Sequence, residues 1–149
     1  MSILKNIKKD SISAMKSGKK DDMEILKVVM TSLNNAQIQK GREKELTKDE
    51  EIKVVSSEVK KLKEAALQYK TAGRDDLAQR EEAQLEVMFK YLPAQLDGKK
   101  IEKIVKEVIN EVGATGKGDM GMVMGATMKR VAGQADGNDV KEIVMKMLP

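Results

Sequence analysis

Residues 113–138 read GATGKGDMGMVMGATMKRVAGQADGN and are unlike the rest of the chain. Seven of the eleven glycines fall inside this stretch (Gly113, Gly116, Gly118, Gly121, Gly125, Gly133 and Gly137), together with four of the eleven methionines (Met120, Met122, Met124 and Met128). Asp119 is placed to cap a helix over Met120 to Ala132, with Gly133 as its stop. Gly121 and Gly125 lie four residues apart and so share one face of that helix, where the missing Cβ lets another backbone come close. An interior glycine costs roughly 1 kcal/mol relative to alanine, so two of them require a compensating gain in packing or contact. The segment is the expected centre of a small C-terminal helical domain.

On the N-terminal side, Ile101, Ile104, Val105, Val108, Ile109 and Val112 keep a helical period up to Gly113, with Asp97 as cap. On the C-terminal side, Asp136 caps a last helix whose Val140, Ile143, Val144, Met147 and Leu148 form another stripe. Three short helices in about 50 residues approach the lower size limit for a free-standing bundle. Upstream, Tyr91 to Asp97 reads YLPAQLD, and its proline prevents one continuous helix. The expected division is a domain over 1–92, a hinge over 93–97 and a C-terminal three-helix domain over 98–149.

The first 92 residues read as about four helices. Ser2 caps the first, with Leu4, Ile7, Ser11 and Met15 as a thin stripe and Gly18 as its stop. A second helix, about Asp22 to Lys40, aligns Leu26, Val29, Met30 and Leu33, and should pack on the first as a hairpin. Thr47 and Glu50 form a capping box that opens a helix of about 25 residues. Its Ile52, Val55, Val59, Leu62, Ala66 and Tyr69 step by three and four. After Gly73, Asp75 is placed to cap a return helix burying Leu77, Leu85, Met88, Phe89 and Leu92, which makes a long antiparallel hairpin. The fold class is therefore all-α.

Composition narrows the chemistry. The 149 residues contain no cysteine and no histidine, which excludes disulfides, thiolate zinc sites and imidazole bases. Acidic pairs such as Asp49, Glu50, Glu51 and Asp75, Asp76, Glu81, Glu82 lack the spacing of a calcium loop or a di-iron bundle, and read as capping and solubilising groups. No nucleophile has a neighbouring base, and neither cofactor nor metal is expected. No run approaches the roughly 18 to 20 apolar residues of a membrane span, and no leader-like stretch opens the chain, so a cytoplasmic protein with no membrane partner is expected.

Net charge is +4, but residues 1–20 carry six lysines (Lys5, Lys8, Lys9, Lys16, Lys19 and Lys20) against Asp10 alone. That end can attract an anionic partner, although a solvated lysine face also serves solubility. Around the glycine and methionine helix stand Lys117, Lys129 and Arg130. The last two are equally suited to the negative end of the helix dipole, and all three to contact with phosphates. The segment is no P-loop, because GKGD lacks the required Ser or Thr after the lysine and follows no strand. With only Tyr69, Phe89 and Tyr91 as aromatics, a base-stacking platform is unavailable, so RNA would be recognised by shape and backbone. The methionines fill a core or offer an adaptable groove to a partner helix.

The motifs Gly73-Arg74-Asp75-Asp76-Leu77, Tyr91-Leu92-Pro93-Ala94-Gln95-Leu96, Asp119-Met120-Gly121-Met122-Val123-Met124-Gly125 and Gly133-Gln134-Ala135-Asp136-Gly137 resemble the GatB/YqeY family over nearly the whole chain. The resemblance is to the stand-alone branch and, more distantly, to the tail of the B subunit of the Glu-tRNA(Gln)/Asp-tRNA(Asn) amidotransferase. It implies an all-helical protein with a three-helix C-terminal domain. In the amidotransferase the tail is a tRNA-contacting appendage, while activation and glutamine hydrolysis belong to other domains and subunits. A family label of carbon-nitrogen ligase with glutamine as amido-N-donor would thus describe kinship rather than an activity of this chain. Gln134 departs from the pattern, standing where relatives often carry lysine or arginine. The resemblance implies a noncatalytic tRNA-binding or amidotransferase-associated protein that uses Lys117, Gly121, Gly125, Lys129 and Arg130. An adaptor for another protein through the methionine-rich groove is the alternative.

Overall fold

A computed structural model describes residues 2–149, which form seven α-helices and one 3-10 turn. The helices are α1 (Ile3–Lys16), α2 (Lys20–Lys40), α3 (Lys48–Thr71), α4 (Asp75–Phe89), α5 (Gly98–Val112), α6 (Met120–Arg130) and α7 (Gly137–Met147), with the 3-10 turn at Lys117–Asp119. The all-α class expected from the periodicities is what the structure has. The chain divides into two compact units, Met1–Leu92 and Pro93–Pro149.

In the first unit α3 and α4 form the hairpin, turning at Gly73, whose φ of +74° is a conformation that side chains with a Cβ resist. The Thr47 hydroxyl accepts from the Glu50 N–H at 3.2 Å, which starts α3 as the capping box requires. Val55, Val59 and Leu62 of α3 pack with Leu85 and Met88 of α4 and with Ile25, Leu26, Val29 and Leu33 of α2. Glu51 is almost fully buried, and its Oε2 accepts from the Leu4 N–H at 2.8 Å. It therefore satisfies one of the orphan donors at the start of α1 from a different helix.

Two local expectations fail here. The buried stripe of α1 is Ile3, Ile7 and Ala14, leaving Met15 61% exposed. The position that completes the stripe is Asp10, which accepts a hydrogen bond from the Tyr91 hydroxyl at 2.5 Å, so a search for unbroken apolar spacing slides off register. In α4 the N-cap position is Arg74 rather than Asp75, and no side chain caps the helix. Asp75 and Asp76 instead occupy the first turn, where carboxylates favour the helix dipole.

The second unit packs α5, α6 and α7 around Ile101, Val105, Val108, Val123, Val131, Val140, Val144 and Leu148. Asp97 caps α5 through the Lys100 N–H, and Asp136 caps α7 through the Asn138 N–H, both at 2.9 Å. Asp119 stands at the N-cap of α6 but makes no capping bond. Its Oδ2 accepts from the Thr115 N–H at 2.9 Å and so closes the loop that precedes the helix. Helix α6 also ends earlier than its pattern suggests, at Arg130, with Val131 already turning.

Candidate nucleic-acid interface

Helix α6 presents its buried side through Val123 and Thr127, and the opposite side faces solvent. On that open side lie Gly121, Gly125 and Lys129, each four residues from the next and within one sector of the helix. Beyond the adjoining residues and backbone of α6 itself, a Cβ built on either glycine meets no atom of the described residues within 4 Å. Close packing inside the bundle is therefore not what these glycines serve. The bare backbone they expose runs along α6 for about two turns, roughly 12 Å to Lys129.

Lysines stand at both ends of this strip. Lys117, in the 3-10 turn, lies four residues before Gly121, and Lys129 lies four after Gly125; both are exposed. Neither has an ion-pair partner among the described residues. Arg130 differs. Its Nη1 reaches Glu107 Oε2 at 3.3 Å and its Nη2 meets Glu111 Oε2, so α5 supplies two carboxylates to one guanidinium. The hydrogen bond to Glu111 holds that guanidinium even more firmly protonated than usual. The five residues that the sequence singled out thus fall into an open set of four and a fifth engaged by a neighbouring helix.

The methionines also divide. Met120, Met124 and Met128 pack against the core of the second unit, whereas Met122 is 51% exposed beside the glycine strip. This leaves little of a methionine-lined groove on α6. The aromatics offer no stacking platform either, since Phe89 and Tyr91 pack against the core of the first unit. The Tyr91 phenol titrates well above its ordinary range, mainly because burial disfavours the phenolate and secondarily because it donates to Asp10. Among the described residues no group of three or more potential ligands is arranged to hold a metal ion, and no helix is long and apolar enough to cross a membrane.

Spacing arguments missed a latch at the base of α6. The Leu96 N–H donates to the Gln134 carbonyl at 2.8 Å, and Gln134 Nε2 returns a bond to the Ala94 carbonyl at 3.2 Å. Gln95 Nε2 donates to the Gly133 carbonyl at 2.8 Å and to the Pro93 carbonyl at 3.0 Å. Two motifs some 40 residues apart are therefore one hydrogen-bonded unit. The only sequence signal was the pairing of two polar side chains with turn residues, Gln95 after Pro93 and Gln134 after Gly133. Gln134, at a position where a basic residue would have suited phosphate, acts as a clamp on the strand entering this unit.

The geometry defines a class, a helical protein whose small bundle offers uncovered helix backbone between two exposed lysines that have no ion-pair partner among the described residues. The chain belongs to the YqeY family: the family model described as Yqey-like protein matches residues 4–148. It is 33% identical over 87 residues to an uncharacterized protein of Schizosaccharomyces pombe, covering 58% of this chain and 69% of that one. It is also 46% identical over 48 residues to the E subunit of the glutamyl-tRNA(Gln) amidotransferase of Thermococcus sibiricus. That match covers 32% of this chain but 8% of the archaeal protein, so the likeness is to a small part of a much larger polypeptide.

Proposed function

We propose that this chain is a noncatalytic helical accessory protein that binds tRNA, by itself or in company with a tRNA-dependent amidotransferase, and does so in the cytoplasm. One observation carries the reading: Gly121 and Gly125 expose helix backbone that no described residue of the second unit covers, between Lys117 and Lys129, which have no ion-pair partner among the described residues. A sugar-phosphate chain can approach such a strip closely while the lysines neutralise phosphates on either side of it. The partial similarity to an amidotransferase subunit supports the same class of partner. Arg130 joins the contact after exchanging Glu107 and Glu111 for phosphate, and so contributes less than the lysines. The groove of an adaptor protein is the weaker alternative, because three of the four α6 methionines pack on the core.

Electrophoretic mobility shifts with total tRNA at several salt concentrations test the proposal. The wild type should bind at low salt with affinity falling as salt rises. A Lys117→Ala/Lys129→Ala variant should bind more weakly and lose about two units of salt slope at most. A Gly121→Leu/Gly125→Leu variant should fold, because the space is open, yet lose binding by steric exclusion. Wild type that shows no affinity at low salt, or glycine variants that bind undiminished, would remove the reading.

A further inference from the structure

The outward face of α1 is a second charged surface, in the unit that contains no part of α6. Ile3, Ile7 and Ala14 point into the core, and on the other side Lys5, Lys8, Lys9 and Lys16 are all exposed. They surround Ile12, which is 52% exposed, with Met15 beside it. Along the helix Lys5 and Lys9 stand about 6 Å apart and Lys9 and Lys16 about 10.5 Å apart. The only acid of the helix, Asp10, is exposed in the same sector as Ile3 and Ile7 and is bonded to Tyr91.

These lysines share the lack of an ion-pair partner with other exposed cations of the first unit, Lys44, Lys48, Lys53 and Lys60 among them, and differ from those in their placement. Lys40 pairs with Glu50, Lys61 with Glu58, Lys70 with Glu82, and Arg80 with Asp21 and Glu24. Lys5, Lys8, Lys9 and Lys16 have no ion-pair partner among the described residues. The placement of Lys5, Lys8 and Lys9 opposes local stability, whereas Lys16 sits in the last turn where a cation is favoured. The first three lie in the first two turns, near the positive end of the helix dipole, and the first turn holds no acid. Lys5 repels both Lys8 and Lys9 at the spacings where helix side chains meet. A solubilising face would gain more from acids at this end, so the arrangement fits an external polyanion that removes the repulsion.

We infer that the Lys5, Lys8, Lys9 and Lys16 face of α1 is a second RNA-backbone contact, independent of the α6 strip; this rests on the reading of the protein as a tRNA binder. An anionic bilayer is the poorer occupant. Amphipathic helices that lie in an interface bury an apolar face there, and the apolar face of α1 is already inside the first unit. Ile12 and Met15 alone are too few for insertion. A polyphosphate strand needs only the row of charges.

The test compares two full-length variants of equal charge. One carries Lys5→Gln, Lys8→Gln, Lys9→Gln and Lys16→Gln; the other carries Lys44→Gln, Lys48→Gln, Lys53→Gln and Lys60→Gln, all exposed in the same unit. Circular dichroism should report unchanged helix content for both. Total tRNA is titrated across a salt series, and phosphatidylserine vesicles are used in parallel. The α1 variant should bind tRNA at least about tenfold more weakly than the control variant and lose about three units of salt slope. If wild type binds tRNA and the two variants are indistinguishable, the α1 contact is refuted while the α6 reading stands. If wild type binds no tRNA at low salt, both fall together. Vesicle binding that depends on the α1 lysines, with tRNA affinity unaffected by them, would assign the face to lipid and overturn the inference.

Discussion

The α3 and α4 hairpin and helix α6 use the same kinds of residue in opposite ways. In the hairpin most local choices agree with folding, although α4 lacks a side-chain cap and the buried Ser56 hydroxyl of α3 has no hydrogen-bond partner among the described residues. Thr47 caps, Val55, Val59 and Leu62 stay on the buried side, Lys70 meets Glu82, and Gly73 occupies the one backbone conformation that calls for glycine. In α6 the choices run against stability. Asp119 does not cap, Gly121 and Gly125 have ordinary helical backbone with open space around them, and the buried Thr127 hydroxyl has no hydrogen-bond partner among the described residues. Natural sequences agree with their folds at most positions, and departures concentrate where another demand is met. The difference directs attention to α6 without reference to any relative.

Four measurements would break or sharpen this contrast. Met88→Ala, a fully buried truncation behind the hairpin, should destabilise the protein by about 2–5 kcal/mol in denaturant unfolding. A smaller loss would mean that the hairpin core is less tightly specified than its contacts suggest. Thr127→Val keeps the shape and removes the unpartnered hydroxyl, so it should raise stability by about 1–2 kcal/mol; a loss would show that the hydroxyl has a partner in solution. Glycine-to-alanine exchange should change sign between the two regions. Gly73→Ala should cost about 1 kcal/mol or more and Gly125→Ala should add about 1 kcal/mol, both read from thermal midpoints. Equal signs would erase the distinction.

The smallest expected effect is that of Tyr91→Phe, about 0.5–1 kcal/mol at neutral pH for the lost bond to a solvent-exposed Asp10. Because burial and Asp10 raise the phenol above the value it has in the unfolded chain, the folded state favours the neutral form. Its contribution is therefore fully present below about pH 10, where a solvated phenol titrates, and is lost as pH climbs beyond that. Unfolding free energies between pH 8 and 11 should decline more steeply in wild type than in the phenylalanine variant. Parallel curves would remove Tyr91 as the cause.

Much of this is legible in the residues themselves, and several of the exceptions share a cause. Helix α5 advertises itself through Ile101, Val105 and Val108, and the caps at Ser2, Thr47, Asp97 and Asp136 lie where short-range rules put them. Those features depend on residues within one or two turns of each other. The register of α1 does not follow, because Asp10 interrupts its buried stripe to meet Tyr91, 81 positions away. Arg130 reads as a free cation because its carboxylates, Glu107 and Glu111, lie on another helix. The clamps made by Gln95 and Gln134 are hidden for the same reason. At the candidate site, the sequence marks Gly121 and Gly125 as unusual, but whether a neighbouring segment fills the space beside them is a tertiary fact.

The clamp between residues 94–96 and the turn at Gly133 and Gln134 has a mechanical meaning. The polypeptide enters its second unit and leaves α6 at a single joint, closed by three hydrogen bonds with Gln95, Leu96 and Gln134 as donors. The joint therefore ties the segment entering the unit to the turn that follows α6, about one turn beyond Lys129.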